Sequence, residues 1–436
     1  MLTKKDFCLL FIFIVLAKSL IAFLIPVVGD ETYYWVWGQH LRLSYFDHPP
    51  MVSWLTAGSD VFQFFPDWIR VRSLFVLLST GSVFVWLKAF QLNYQPTRKQ
   101  SLLFILFYNL NPMLGIGGIF ATPDVPLIFF WGGSFYFFLK SLRNQKWLDY
   151  LLLGVFLGLG FCSKYHIVLF VPTILLYLGL SKQFGKINYF KLGLTSFSGL
   201  VFSLPVIIWN YQNNWESFLF QFNHGFNRNQ YNLEWSTSYL IGQILIFSPF
   251  LFYTLVHSWK KSEFSTLAFA QWLFFLYSST KAPVEANWPI AAHAQGTTSL
   301  DFEKMNLKWS LGYWTFIYLF LIVFICSPFG QDKIQNVPNA DEIRKILPDI
   351  LGHQPLYGPS YQISSLIHYL SGQDIKKLPR LSRYDFYDQL QDIPTTKKLF
   401  LLKHANSWLP EWTEKYKKTD IKKFKEYNLE LIRLEL

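Results

Sequence analysis

Long apolar runs separated by short polar connections fill the chain up to about residue 328. Runs of spanning or near-spanning length occupy residues 7–28, 69–92, 101–120, 125–142, 147–163, 166–181, 190–209, 237–257, 264–280 and 308–328, and a weaker one covers 286–300. A bilayer core of roughly 30 Å asks for about 20 apolar residues per helix, so the pattern predicts about eleven transmembrane helices. The first run follows Lys4 and Lys5, outlasts a signal-peptide core and passes Ala17, Lys18 and Ser19 with no cleavage site, so it reads as an uncleaved helix. From Gly330 the pattern changes to a charged, mixed sequence with short apolar segments, Ile363–Leu370 and Lys398–Leu402 among them. The expected architecture is an all-α polytopic membrane domain over 1–329 and a small mixed α/β soluble domain over 330–436.

Charge sets the expected topology. Arg98 and Lys99, then Lys140, Arg143 and Lys146, then Lys182, Lys186 and Lys191, then Lys260 and Lys261, then Lys304 and Lys308 mark every second connection, as cytoplasmic loops are marked by the positive-inside rule. The alternate connections, 29–68, 121–124, 163–166, 210–236 and 281–289, then face outward. Counting the weak run as a span, the favoured reading, puts residues 330–436 on the outer side, whereas dropping it would leave that domain in the cytoplasm. No internal repeat is visible, which weakens readings as an inverted-repeat transporter.

Composition agrees and excludes alternatives. Of 436 residues 52% are hydrophobic, 20% aromatic and only 15% charged, a balance that no compact soluble core requires. Disorder, collagen, coiled coil and a disulfide scaffold are excluded. The net charge of +11 would suggest nucleic acid in a soluble protein, whereas here it reports topology. Cys8, Cys162 and Cys326 each lie in an apolar run and read as small buried hydrophobes.

Candidate chemistry gathers in the outer connections. Asp30 and Glu31 follow the first span and open an aromatic stretch, Thr32–Trp37, expected as an interfacial helix. A carboxylate at a helix end facing a cavity is a functional candidate; the competing reading is a solvated interfacial pair. Tyr45, Phe46, Asp47 and His48 precede Pro49 and Pro50, which fix a rigid turn that presents a carboxylate and an imidazole together. Asp124, between Pro123 and Pro126, reads either as a helix N-cap or as a third site carboxylate. Arg70, Arg72, Lys164, Arg228 and Lys281 fall on the outer side against the charge rule and call for an anion, most naturally a lipid phosphate. The connection from Trp209 and Asn210 to His224 mixes indoles, phenols and amides, as does Glu285–Pro289 with Asn287 and Trp288; both patterns suit a sugar ring and also an interfacial aromatic belt.

In this order, Asp30-Glu31, Tyr45–Pro50, Thr122-Pro123-Asp124-Val125-Pro126-Leu127, Ser163-Lys164-Tyr165, Trp209-Asn210 with Ser217-Phe218 and Phe220-Gln221, and Asn287-Trp288-Pro289 resemble the bacterial polyprenyl-phosphate-dependent GT-C glycosyltransferases. That family includes relatives of the protein O-mannosyltransferases, of the aminoarabinose lipid A transferases and of the galacturonosyltransferases of lipopolysaccharide core. Tyr357–Ser365 is similar to the outer domain of one bacterial branch. The resemblance implies a GT-C-like fold and transfer of a sugar from a polyprenyl-phosphate donor to an envelope lipid or protein, with the membrane lipids as its surroundings and no nucleic acid. It implies Asp30 as general base, with Glu31 beside it, Asp124 as a second essential carboxylate, and Lys164 on the donor phosphate with Arg70, Arg72 or Lys281. Tyr45, Asp47, His48, Trp209, Asn210, Asn287 and Trp288 are the expected sugar-side residues. A divalent metal held by Asp47 and His224 is a further expectation, although Asp47-His48 is nearer the mannosyltransferase pattern than the metal-holding one. The rival function is a transporter or flippase for a lipid-linked sugar, for which Lys18 and Pro112 are the mid-span candidates.

Overall fold

The structure is a computed structural model that describes residues 2–62, 64–226, 231–258, 264–327 and 339–436. Each apolar run contains helix, but the helices differ in reach. Lys4–Leu24, Ile69–Tyr94, Asp124–Asn144, Tyr189–Gln212 and Leu307–Phe324 are long and apolar enough to cross a membrane. Leu233–Phe247 and Pro249–His257 form a pair bent by 85°, a sixth crossing if taken together, and Trp147–Ser163 and Tyr165–Leu180 are shorter apolar helices. The expectation of about eleven spans is not confirmed by helix length among the described residues. The weak run 286–300 shows why: its helix, Ile290–Thr298, has nine residues, every one of them buried. At 1.5 Å per residue it is roughly 14 Å long, less than half a bilayer core. An apolar run signals burial, and a bundle interior meets that need as well as lipid does.

The chain forms two compact units: Met1–Ala22, Arg42–Leu55 and Arg72–Leu319 in the first, and Phe23–Leu41, Thr56–Val71 and Phe320–Leu436 in the second. In the first unit, small residues bring helices close enough to fix side chains at their ends. A Cβ on Gly154 would lie 2.0 Å from Ser198 Oγ, and one on Gly158 would lie 2.6 Å from both Gly199 O and Phe202 Cβ. This small-xxx-small face holds Trp147–Ser163 against Tyr189–Gln212. A polar chain crosses the same unit, from Asn111 Nδ2 to His293 Nδ1 at 3.0 Å and from His293 Nε2 to Gln243 Oε1 at 2.7 Å. It accounts for the polar character of the 286–300 run, because a short helix in a protein interior needs internal partners for such groups.

The second unit carries a five-stranded sheet in the order β2-β1-β3-β5-β4, built from β1 (Leu356–Gly358), β2 (Lys376–Lys377), β3 (Lys398–His404), β4 (Lys417–Phe424) and β5 (Leu429–Glu435). β1 runs parallel to β2 and β3, while β5 is antiparallel to β3 and β4, so the mixed α/β expectation matches the sheet. The aromatic stretch after the first span is the helix Gly29–Gln39, with Tyr33, Tyr34, Val36 and Trp37 buried. It packs on the helix Tyr361–Ser371, which corrects the expectation of a helix lying in the lipid interface: the aromatic face is covered by protein. The domain boundary expected at 329–330 lies outside the described residues.

Candidate functional site

Two residues 40 positions apart meet because each ends a helix. Asp124 opens Asp124–Asn144, and Lys164 directly follows Trp147–Ser163, its backbone N–H donating to Gly160 O. Lys164 Nζ donates to Asp124 Oδ1 at 2.7 Å, with side chains only 7% and 9% exposed. Asn287 Nδ2 donates to the other oxygen, Asp124 Oδ2, at 2.6 Å. The carboxylate is thus gripped on both oxygens, and the N-cap alternative does not hold: the cap position is Pro123, with no side-chain cap. Removing Lys164 or Asp124 alone would leave a buried charge uncompensated, a cost of about 3–5 kcal/mol.

One residue beyond Lys164 the chain lines a cavity of about 390 Å³, walled by Phe161, Tyr165, His166, Phe218, Gln221 and Trp288 among others. The walls are mainly apolar and aromatic, in the size range of small-molecule sites. His166 packs between Phe275 and Trp288, with ring centroids at 5.4 Å and 5.8 Å, and its buried Nδ1 has no hydrogen-bond partner among the described residues. Tyr165 Oη and Ser217 Oγ are 2.8 Å apart, and Gln221 Nε2 donates to Asp47 O at 2.6 Å.

Asp30 belongs to the second unit and differs from its neighbour. Glu31 is fully buried, and its Oε2 accepts from Val28 N–H at 3.2 Å, which closes the N-terminus of Gly29–Gln39. That oxygen of Glu31 serves the helix end. Asp30 is exposed to solvent, although the protein crowded around it raises its carboxyl above the usual range. Hydrogen bonds from Tyr361 and Gln362 and the charge of Arg383 act in the opposite direction. Gly29 is needed for this arrangement: a Cβ there would fall 2.4 Å from Gln362 Cβ. Arg383 in turn lies over the Tyr361 ring, 4.8 Å from its centroid. Tyr361 falls in the Tyr357–Ser365 segment noted in the sequence, whereas no motif announced Arg383.

The remaining candidates separate by burial and partners. Arg72 is fully buried, donates from Nη1 to Ala22 O at 2.8 Å and stacks its guanidinium 5.1 Å from the Phe120 ring centre. It completes the C-terminal end of the first helix, where a cation suits the helix dipole, and the phosphate expected for it would have to compete with that role. Arg70 is half-buried in the second unit, and Lys281 is exposed. Tyr45 and Asp47 are buried and His48 half-buried; Tyr45 Oη accepts from Arg42 N–H at 3.2 Å. Asn210 is fully buried with its amide engaged on both sides: Nδ2 donates to Val206 O at 3.0 Å and Oδ1 accepts from Phe218 N–H at 3.3 Å. With Trp209 buried beside it, Asn210 locks the helix end in place, and the sugar contact expected of the pair is not offered by this geometry. Asn287 holds Asp124, and Trp288 faces the cavity. The side chain of His224 and all of Arg228 lie outside the described residues. Among the described residues no group of three His, Cys, Asp or Glu gathers that could hold a metal ion.

Residues 47–209 match the family described as dolichyl-phosphate-mannose-protein mannosyltransferase, and this segment contains both Asp124 and Lys164. Over that segment the chain is similar to a glycosyltransferase family. It is 25% identical over 323 residues to a lipid A galacturonosyltransferase of Rhizobium johnstonii, a match covering 65% of this chain and 61% of that protein's length. Among solved structures it is similar to ArnT from Cupriavidus metallidurans bound to undecaprenyl phosphate, with a TM-score of 0.73 and 14% identity over 99% of this chain and 98% of that one. The apo form of the same ArnT gives a TM-score of 0.70 at 13% identity, covering 98% of both chains. At such identity the likeness establishes a shared fold. The matched segment holds Asp124, Lys164, Tyr165 and His166, while Asn287 and Trp288, and Asp30 with its neighbours Tyr361, Gln362 and Arg383, lie outside it.

Proposed function

We propose that the chain is a membrane glycosyltransferase that moves a sugar from a polyprenyl-phosphate donor to a hydroxyl of a lipid A-like glycolipid, with inversion, on the outer face of a bacterial inner membrane. The observation that carries this reading is the buried Lys164–Asp124–Asn287 cluster beside a cavity with apolar walls. The lipid tail of the donor would occupy that cavity, and its phosphate would share the Lys164 ammonium, which Asp124 holds in place at that depth. The relatives' acceptor chemistry, lipid A in one of them, supports a glycolipid acceptor.

In the transfer, Asp30 accepts the proton of the acceptor hydroxyl while its oxygen attacks the anomeric carbon. The bond from that carbon to the phosphate oxygen breaks, and its electron pair leaves with the polyprenyl phosphate, whose growing charge Lys164 stabilises. A single displacement inverts the anomeric centre and needs no glycosyl-enzyme intermediate, unlike the double displacement of retaining enzymes. The proton passes from Asp30 to solvent, to which its carboxyl is open.

The test compares envelope lipids and glycoproteins by mass spectrometry with and without the gene, then with Asp30→Asn and Lys164→Met chains expressed to equal level. One hexose-, hexuronate- or aminopentose-bearing lipid species should vanish in the deletion and in both variants. Loss confined to glycoproteins would move the acceptor to protein, and full modification by the Asp30→Asn chain would remove that residue from the chemistry.

A further inference from the structure

A second buried cation lies elsewhere in the first unit, and the transfer mechanism makes no use of it. Lys18 sits six residues before the end of the helix Lys4–Leu24, about 9 Å along its axis, and is only 4% exposed. Its Nζ donates to Ser79 Oγ at 2.5 Å. Among the described residues Lys18 has no carboxylate partner, and no other charged group acts on it. An ammonium has three donors, so two remain to be met, and an uncompensated cation at membrane depth costs several kcal/mol.

The same place holds a second unmet polar atom. Asn109 donates from Nδ2 to Ile105 O at 2.8 Å, while its buried Oδ1 has no partner among the described residues. Lys18 and Asn109 both line a cavity of about 470 Å³ whose other walls are chiefly apolar, Phe13, Ile14, Ile105 and Tyr318 among them. None of its lining residues lines the cavity beside Lys164. Phe13, Ile21 and Leu106 line the cavity and are themselves exposed apolar side chains, so its rim faces the lipid side while Lys18 lies on the buried face of its helix.

We propose that this cavity binds an anionic glycerophospholipid with a hydroxylated head group, of the phosphatidylglycerol class. The phosphate takes the two open Lys18 donors, a head-group hydroxyl donates to Asn109 Oδ1, and an acyl chain lies along the apolar walls. Charge complementarity selects the phosphate, since the site holds one cation and no acid. The unmet acceptor selects a head group that can donate, which a bare phosphate diester cannot do. The site is distinct from the sugar donor's, so it stands or falls independently of the transfer reaction.

The experiment uses the full chain, delipidated in detergent and titrated with phosphatidylglycerol or phosphatidylcholine, with retained lipid counted by native mass spectrometry. The wild type should hold one phosphatidylglycerol and prefer it over phosphatidylcholine. Lys18→Met should weaken retention roughly tenfold or more, the loss of a charge-assisted contact, while Lys18→Arg keeps it. Asn109→Leu should keep anionic binding but lose the preference for phosphatidylglycerol over the methyl ester of phosphatidic acid. Ala17→Trp, which fills the cavity and leaves Lys18 in place, should also abolish retention, and it decides the matter if Lys18→Met does not fold. Equal retention by folded Lys18→Met, or equal retention of phosphatidylcholine, would overturn the proposal. So would displacement of the bound lipid by one equivalent of polyprenyl phosphate, which would make the cavity part of the donor site.

Discussion

At the scale of residues, the site depends on how a few charges are compensated. Asp124 and Lys164 are buried together, so each single variant should be costly and the pair less so. Asp124→Asn and Lys164→Met are each expected to lower the thermal midpoint. The double variant should recover much of the loss in a fluorescence-monitored melt while remaining inactive; additive losses would show that the two charges are independent. Asp30 behaves differently because its carboxyl is raised above the usual range, chiefly by the surrounding protein. Only the ionised form accepts a proton, so transfer should fail as pH falls through that raised value. Arg383→Gln removes a cation that favours the carboxylate, which should move the acid limb of the rate profile to higher pH; an unmoved limb would count against Asp30 as the group being titrated. A carboxyl raised on folding favours the folded state at low pH and loses that contribution as pH rises through its folded value. Asp30→Asn should therefore be inactive yet melt no lower than the wild type at neutral pH, which separates lost chemistry from lost fold.

At the scale of elements, glycines place the charged residues. The face formed by Gly154 and Gly158 lets Trp147–Ser163 approach Tyr189–Gln212, and Lys164 directly succeeds that first helix. Gly158→Leu would press a side chain into Gly199 O and Phe202, an overpacking cost of about 1–3 kcal/mol or more. The expected outcome is weaker donor use, read as a raised KM for the polyprenyl-phosphate sugar, even where the variant is purified folded. Gly29→Ala meets Gln362 at 2.4 Å in the other unit and should lower kcat through Asp30 instead. A Gly29→Ala enzyme with wild-type kcat would show that the first turn of Gly29–Gln39 tolerates displacement. Asp124 and Lys164 are legible as candidates in the sequence because each is a charge at the mouth of an apolar run. Their ion pair is not legible there, since no spacing rule relates positions 40 residues apart on different helices.

At the scale of the whole molecule, the C-terminal residues are part of the second unit's core along with the first outer connection. Tyr33 and Trp37 are 2% and 0% exposed, and Tyr33 Oη accepts from Phe386 N–H at 3.0 Å. Truncation after residue 339 should leave that aromatic face uncovered, so limited proteolysis should cut within 29–41 in the truncated chain and spare it in the full one; equal protection would mean the helix stands without its C-terminal partner. Local physics dictates helices wherever apolar runs are long, a charged mixed domain after them, and acids and bases at helix mouths as candidate chemistry, and all of these are readable from the order of residues. The span count is not fixed by that reading because burial in a bundle and burial in lipid demand the same side chains, as the nine buried residues of Ile290–Thr298 show. Which polar groups are already engaged is settled by tertiary packing alone. Glu31 and Asn210 have the character of site residues but are held by backbone groups, while Arg383 and Lys18 draw their significance from neighbours distant in sequence. A side chain's chemistry is written in its type, whereas its availability depends on what the rest of the fold brings within hydrogen-bonding distance.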